Sequence, residues 1–183
     1  MNSLPSWTSS FRMRKTARRP WTWLLIILIA AWPVPSAAGQ AQEATLLQEI
    51  EQLAKQGDGE ALYALALHYD LGGGPPAAKR LAIDLYRQAA KLHVAGACLN
   101  LGMKYEFGNG VPRDPKQAAA LYEEAARQGW PMAQFFLGRL LLDGVAGQAD
   151  PDRGRHWLRQ AAEAGYPGAA ELLEETGPAP TGD

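Results

Sequence analysis

The histidines and the single cysteine are the first residues of this sequence that could support catalysis or metal binding. His68, His93 and His156 do not form a metal-ligand spacing such as His-Glu-x-x-His, so we expect partly exposed structural side chains. Cys98 lies between Ala97 and Leu99 with no base beside it in the sequence, which predicts a buried, inert thiol. These residues therefore predict no catalytic centre, no metal site and no cofactor site.

Adjacent acids and clustered glycines are the next candidates for chemistry. The glutamate pairs at 123–124 and 174–175 fall in predicted helices, where neighbouring side chains diverge. This favours solvated faces over an acid/base pair. The glycine-rich stretches at 72–74 and 108–110 could suggest a phosphate cradle, but no strand precedes them and no lysine takes the P-loop position. We interpret both stretches as turns between helices.

A repeat of 36 residues organises most of the 183-residue chain. Small and apolar residues recur at this step without any insertion. The clearest columns are Ala54, Ala90, Ala126 and Ala162; Ala61, Ala97, Ala133 and Ala169; Leu65, Leu101, Leu137 and Leu173; and Gly72, Gly108 and Gly144. Within a unit, Ala97, Leu101 and Tyr105 follow helical spacing, so each unit is predicted to be a helix, a turn and a second helix.

Helix start and stop signals agree with these units. Asp-Pro pairs at 114–115 and 150–151 predict N-caps followed by proline at the first helical position. One column suits a left-handed C-terminal cap, and its members are Gly57, Gly129 and Gly165. His93 takes that position in the middle unit, where we expect a slightly strained or differently closed turn.

The middle unit resembles the Sel1-like repeat, a relative of the tetratricopeptide repeat with a longer internal turn. The matching residues are Ala97, Leu101, Gly102, Tyr105, Gly108, Gly110, Val111, Asp114, Ala118, Tyr122, Ala125, Ala126 and Gly129. The resemblance implies an all-α fold, a right-handed α-solenoid of helix-turn-helix repeats. We assign full repeats to residues 54–89, 90–125 and 126–161, and a capping helix to 162–175.

The flanking segments have their own signals. Residues 39–53 are predicted to form an N-terminal packing helix, and residues 176–183 a disordered tail. The apolar face expected on that helix comprises Leu46, Leu47, Ile50, Leu53 and Ala54. The acidic residues 171, 174 and 175 are predicted to give the capping helix a solvent-facing polar end, which a solenoid needs because a terminal repeat has no neighbour to cover it.

In the tetratricopeptide family, the first helices line a concave side that binds extended peptides or partner helices. When the groove positions of that family are carried over to the first helices of this chain by their place in the repeat, nine candidate positions result, three in each repeat. They are Tyr63, Leu67 and Asp70; Leu99, Met103 and Glu106; and Phe135, Arg139 and Leu142. Each trio shares one helix face, and the competing interpretation places some of its members in the core.

Residues 1–38 have the order of a secretory signal peptide: basic, then apolar, then small residues. We expect cleavage after Ala38, with Ala41 as the second choice. The alternative is an uncleaved inner-membrane anchor formed by residues 21–32, although this run is about half the length of a spanning helix. Removal of the leader leaves 13 basic and 19 acidic residues, a net charge of −6, which argues against nucleic-acid binding.

These observations together predict an exported, periplasmic or secreted binding module or scaffold without catalytic activity. Its partner would be a protein or peptide of the bacterial envelope. Two alternatives remain, namely an enzyme acting on β-lactams or the cell wall, as suggested by some exported relatives, and a membrane-anchored accessory protein. Those relatives are rich in cysteine pairs, whereas this chain has one cysteine.

Overall fold

The structure, a computed structural model, describes residues 37–72 and 76–177, and every regular element in these ranges is a helix. The leader at 1–36, including the anchor alternative at 21–32, lies outside them. The helices are α1 (Ala37–Lys55), α2 (Gly59–Leu71), α3 (Pro76–Lys91), α4 (Ala95–Phe107), α5 (Pro115–Arg127), α6 (Pro131–Asp143), α7 (Pro151–Glu163) and α8 (Ala169–Glu175).

Each helix packs against the next one in the chain, as expected for stacked helical hairpins. We call α2, α4 and α6 the first helices and α3, α5 and α7 the second helices. Tyr86 and Tyr122 are fully buried on second helices and belong to two successive parts of the core. The all-α arrangement of helix-turn-helix units predicted from the sequence is therefore confirmed.

The turns inside the second and third hairpins are closed by backbone hydrogen bonds at positions one repeat apart. The N–H of Asp114 donates to the carbonyl of Tyr105 at 2.8 Å, and the N–H of Asp150 donates to that of Leu141 at 2.9 Å. The carboxylate of Asp114 accepts from the N–H groups of residues 116 and 117, both at 3.1 Å. In both units the aspartate thus ends the turn and caps the following helix. The next residue is the first of that helix, a position where proline is favoured because its missing N–H is not needed.

The connection between hairpins uses a left-handed residue. Gly57, Gly129 and Gly165 have φ values of 84°, 81° and 76°, and His93 has a φ of 58° at the equivalent position. The prediction of a strained turn at His93 is confirmed, because a side chain with a Cβ is disfavoured in this region.

Several boundaries differ from the sequence-based assignment. The helix assigned to 39–53 spans Ala37–Lys55, and its face is narrower, since Leu53 is 43% exposed whereas Ile50 and Ala54 are buried. The interval 162–175 is not one helix. α7 continues to Glu163, and left-handed Gly165 and Gly168 separate it from α8.

The C-terminal end is polar, as expected, with exposed glutamates at 171, 174 and 175. Thr176, which falls in the predicted tail, donates its hydroxyl to the carbonyl of Leu172 at 2.9 Å and so extends the end of α8. The tail residues 178–183 lie outside the described ranges. Among the described residues, no helix is long and apolar enough to cross a membrane.

Candidate partner-binding surface

Charge is distributed unequally between the two kinds of helix. The three first helices carry six charged residues, whereas the three second helices carry fourteen. Second helices thus have an ordinary amphipathic pattern with a charged outer face, but first helices are apolar over most of their surface. A helix of that kind is expected to be covered on all sides, so its accessible residues are the candidate contact surface.

The first polar cluster, Asp70, Tyr86 and Lys104, joins the first two repeats. Lys104 Nζ donates to Asp70 Oδ1 at 2.7 Å, and the Tyr86 hydroxyl donates to Asp70 Oδ2 at 3.3 Å. The ammonium group of Lys104 also lies 5.9 Å from the centre of the Tyr86 ring. Desolvation, and then the nearby Asp70 carboxylate, raise the pKa of Tyr86 far above its usual value. The tyrosine therefore stays a neutral donor.

The second polar cluster, Glu106, Tyr122 and Arg139, joins the second and third repeats in the same way. The Tyr122 hydroxyl donates to Glu106 Oε2 at 2.7 Å, and Arg139 donates to the other oxygen, Oε1. Arg139 also lies over Phe136, 5.3 Å from the centre of that ring. Burial of the phenol, followed by its hydrogen bond to Glu106, raises the pKa of Tyr122 far above its usual value.

The two clusters are related by the repeat, and the third repeat breaks the series. Asp70 and Glu106 are one period apart, as are Tyr86 and Tyr122, but the next members are Leu142 and Leu158. Leu142 packs at Gly154, where an added Cβ would lie 2.9 Å from its Cγ. Each carboxylate is thus neutralised by a cation from the following repeat, which leaves it unsuited to act as a general acid or base.

Aromatic side chains fill glycine positions between neighbouring first helices. At Gly96 an added Cβ would lie 2.6 Å from Cζ of Tyr63, whose hydroxyl accepts a hydrogen bond from Asn100 at 3.3 Å. Phe135 likewise packs on the ring of Tyr166, with 5.0 Å between ring centres. Burial raises the pKa of Tyr63 above its usual value. These aromatic residues serve the stacking of repeats even where part of the ring is accessible.

The nine groove candidates divide into two groups. Leu99 and Glu106 are buried, Leu99 in the core and Glu106 in the second polar cluster, so neither presents surface to a partner. The other seven are half-buried on the first helices: Tyr63, Leu67, Asp70, Met103, Phe135, Arg139 and Leu142. Asp70 and Arg139 have their charges paired within the two polar clusters.

The most accessible large apolar residues of the first helices were not among these candidates. Leu71 is 74% exposed, Phe107 55% and Met132 38%. Leu71 and Phe107 are one period apart, and each is the last residue of its helix, before a glycine. That shared column was the signal available in the sequence. The chosen trios ended one residue earlier, a rotation of about 100° on a helix.

The remaining candidates for chemistry are the single thiol and the histidines. Cys98 is almost fully buried, as predicted, and burial raises the pKa of its thiol to about 11. His68 is half-buried, and His93 and His156 are exposed. Within the described part of the chain, no group of three or more histidine, cysteine or acidic residues could hold a metal ion.

The glutamates at 123 and 124 are not the simple solvated face expected from the sequence. Glu123 accepts from Arg127 at 2.7 Å and from Arg153 of the next second helix at 3.1 Å. Glu124 lies 2.9 Å from Nδ1 of His93 in the preceding turn. Both acids therefore connect neighbouring repeats, whereas the pair at 174–175 is exposed as predicted.

Stacked helical hairpins with a constant period define an α-solenoid of the tetratricopeptide-like class. The sequence model of the Sel1 repeat matches three consecutive segments, 59–94, 95–130 and 131–166. The chain belongs to the Sel1 repeat family. The matched segments keep the 36-residue period but begin five residues after the frame chosen from the sequence.

Solved structures agree with this assignment. A Sel1 repeat protein from Oxalobacter formigenes is 32% identical, with 70% of this chain and 97% of that chain covered, at a TM-score of 0.65. The protein c5321, a protective antigen present in uropathogenic Escherichia coli strains and displaying an SLR fold, is 29% identical at a TM-score of 0.68. That match covers 73% of this chain but 28% of c5321.

Helicobacter pylori cysteine-rich protein B shares the fold at 18% identity and a TM-score of 0.51, with 69% of this chain and 96% of that chain covered. A comparison with curated proteins finds no match. Sel1 repeats mediate protein–protein interaction, which is the general class of function that the family assignment supports.

Proposed function

We propose that this protein is an exported, non-catalytic binding module of the bacterial envelope, whose first helices contact a protein or peptide partner. The observation that carries the proposal is the exposure of Leu71 and Phe107 at equivalent positions of adjacent, charge-poor helices. Large apolar residues that remain accessible on otherwise packed elements are typical anchors of protein interfaces.

The chemistry of the described residues supports binding over catalysis. The carboxylates of Asp70 and Glu106 are engaged by cations and by tyrosine hydroxyls that stay protonated near neutral pH. The thiol of Cys98 is buried and, with its raised pKa, is protonated as well. An activated nucleophile with a placed base is therefore not found among these groups.

Export is supported by the order of the leader. Within the leader, all five basic residues precede the apolar run, which is the order of a secretory signal peptide. The proposed cleavage after Ala38 falls two residues into α1.

The binding proposal is tested by site-specific photo-crosslinking in the native envelope. A photoreactive amino acid replaces Phe107 on α4 in one strain and Leu81 on α3 in a matched control. Leu81 is a suitable control because it is also a large apolar residue, 44% exposed, but stands on a second helix. We expect a discrete crosslinked protein at residue 107 only. Equal crosslinking at both positions, or crosslinking at 81 alone, would contradict the proposal.

Export and activity are tested on the protein recovered from the same cells. We expect an intact mass corresponding to a chain that begins at Gly39, or at Gln42 for the second cleavage choice. A mass that includes the leader would support the membrane-anchored alternative. Turnover of a chromogenic β-lactam or of muropeptides by this preparation, abolished by a point mutation, would support the enzyme alternative instead.

A further inference from the structure

The dipeptide Asn109-Gly110 lies in the turn between α4 and α5, with both residues exposed. The backbone N–H of Asn109 donates to the carbonyl of Lys104 at 2.9 Å. By contrast, no described residue accepts from the N–H of Gly110 or forms a hydrogen bond with the side-chain amide of Asn109. Gly110 also has no side chain to shield its own nitrogen. Two adjacent amide groups in this turn are therefore accessible and unengaged.

These two amides can react with each other. The Gly110 nitrogen, after loss of its proton, can attack Cγ of Asn109, which forms a new N–C bond and releases ammonia. Water then opens the cyclic imide in one of two places. Cleavage of the new bond gives aspartate, whereas cleavage of the original peptide bond gives isoaspartate, whose main chain runs through Cβ and Cγ and is longer by one carbon. The only co-reactant is water, and no oxidation or reduction takes place.

Asn100, the other asparagine of the described ranges, is held in a way that opposes this reaction. It lies within α4 and is followed by Leu101, and its Nδ2 donates to the hydroxyl of Tyr63 at 3.3 Å. Ring closure at Asn100 would require both the loss of this hydrogen bond and an opening of the helix, which costs free energy in a packed element. Ring closure at Asn109 requires neither, so the two asparagines provide a comparison within one chain.

An isoaspartate at position 109 would disturb the packing of the second repeat against the first. The two residues that follow it belong to this contact. A Cβ added at Gly110 would lie 2.7 Å from Cδ1 of Ile83 on α3, and Val111 is buried in the same part of the core as Ile83. Because close-packed groups leave no room for an extra main-chain carbon, Gly110 and Val111 would have to shift away from α3.

We propose that Asn109 is a site of spontaneous deamidation, and that its isoaspartate product weakens the contact between the first two repeats. The aspartate product keeps the normal main chain and leaves this contact in place. Asn-Gly occurs once in the sequence, and the positions one period from Asn109 are Gly73 and Val145, so the modification is confined to one turn. This chemistry needs no partner and is independent of the proposed function.

The first test follows deamidation in the purified protein, incubated at physiological temperature and mildly alkaline pH. Peptide mapping by mass spectrometry, with fragmentation that distinguishes aspartate from isoaspartate, gives the rate at each asparagine. We expect Asn109 to be converted more than about tenfold faster than Asn100, because the helix at Asn100 must open first. The rate should rise with pH, since the attacking nitrogen is deprotonated. Absence of conversion at Asn109, or conversion no faster than at Asn100, would overturn the proposal.

Asn109→Gln is the matched control for the reaction. It keeps a side-chain amide beside Gly110, but closure of the larger ring is slower, so the converted peptide should be absent over the same period. If Asn109→Gln is converted as fast as the wild type, attack by the Gly110 nitrogen on the neighbouring side chain is not the route and the proposal fails.

The second test measures the consequence for stability. The isoaspartate form, isolated by ion exchange and verified by peptide mapping, is compared with freshly prepared Asn109→Asp, which has the same charge on a normal main chain. We expect the urea midpoint of the isoaspartate form to be lower by about 0.5 M, and that of Asn109→Asp to stay within about 0.2 M of the wild type. Equal midpoints for the isoaspartate form and Asn109→Asp would contradict a weakened contact between the repeats.

Discussion

Removal of the Tyr122 hydroxyl should destabilise the protein more than the same change at Tyr86. Tyr122 donates at 2.7 Å to Glu106, which is buried and also accepts from Arg139. Tyr122→Phe keeps the ring and its stacking on Phe136, but Oε2 of the buried Glu106 carboxylate loses its hydrogen bond from the hydroxyl. Hydrogen bonds to charged groups contribute about 1.5 to 3 kcal/mol, so we expect a loss of about 2 kcal/mol.

Tyr86→Phe provides a matched control one repeat earlier. The Tyr86 ring is equally buried, but its hydroxyl donates at 3.3 Å to Asp70, which is partly exposed and can be hydrated when the bond is lost. We expect a loss of about 0.5 to 1 kcal/mol, because a longer bond to a hydrated acceptor contributes less.

The assay is urea unfolding of the purified protein at pH 7, followed by circular dichroism. With an m-value of about 2 kcal/mol per molar, a loss of about 2 kcal/mol lowers the midpoint by about 1 M. Tyr122→Phe should thus shift the midpoint at least twice as far as Tyr86→Phe. Equal shifts, or a larger shift for Tyr86→Phe, would refute the argument that burial of the carboxylate sets the strength of each cluster.

Three further predictions use the same assay. Burial raises the pKa of Cys98 to about 11, so the stability that the buried protonated thiol contributes is fully present below about pH 9 and is lost as the pH rises through 11. The urea midpoint should therefore fall over this interval, and Cys98→Ala should make that fall smaller. His93→Gly should stabilise by about 0.5 to 1 kcal/mol through relief of its left-handed conformation, and Gly129→Ala should cost about 1 kcal/mol; opposite signs would contradict this. Gly102→Ala should destabilise by about 1 to 3 kcal/mol although alanine favours helices, because its Cβ would lie 2.7 Å from the Tyr122 ring; a stabilised variant would show that this contact relaxes freely.

The fold was predictable because its determinants are local and repeated. Asp-Pro pairs at 114–115 and 150–151 mark the starts of α5 and α7, and the glycine column marks the turns between hairpins. Boundaries were less predictable where a signal was weak. The start of α8 at Ala169 depends on the left-handed conformation of Gly168, whereas the glycine of the same column in the second repeat, Gly96, is helical within α4.

The candidate surface was less predictable because it depends on contacts between repeats. The acids of the two polar clusters are one period apart in the sequence, and so are the tyrosines, but the cations are not. Lys104 follows Asp70 by 34 residues, whereas Arg139 follows Glu106 by 33, so no column connects the two cations. The long side chains of Lys104 and Arg139 allow both cations to reach a carboxylate from different helix positions, and a repeat pattern in the sequence does not show this reach. The burial of Glu106 was therefore not predicted, because it depends on the contact with Arg139.

The most direct test of the central claim is the affinity of the protein crosslinked at residue 107 for Phe107→Ala and for Leu81→Ala. Full burial of a phenylalanine contributes up to about 3 kcal/mol, and 55% of Phe107 remains exposed, so a buried contact contributes about 1.5 kcal/mol. The account predicts that Phe107→Ala weakens binding about tenfold while Leu81→Ala changes it by less than about twofold. Weaker binding for Leu81→Ala with Phe107→Ala unchanged would contradict it.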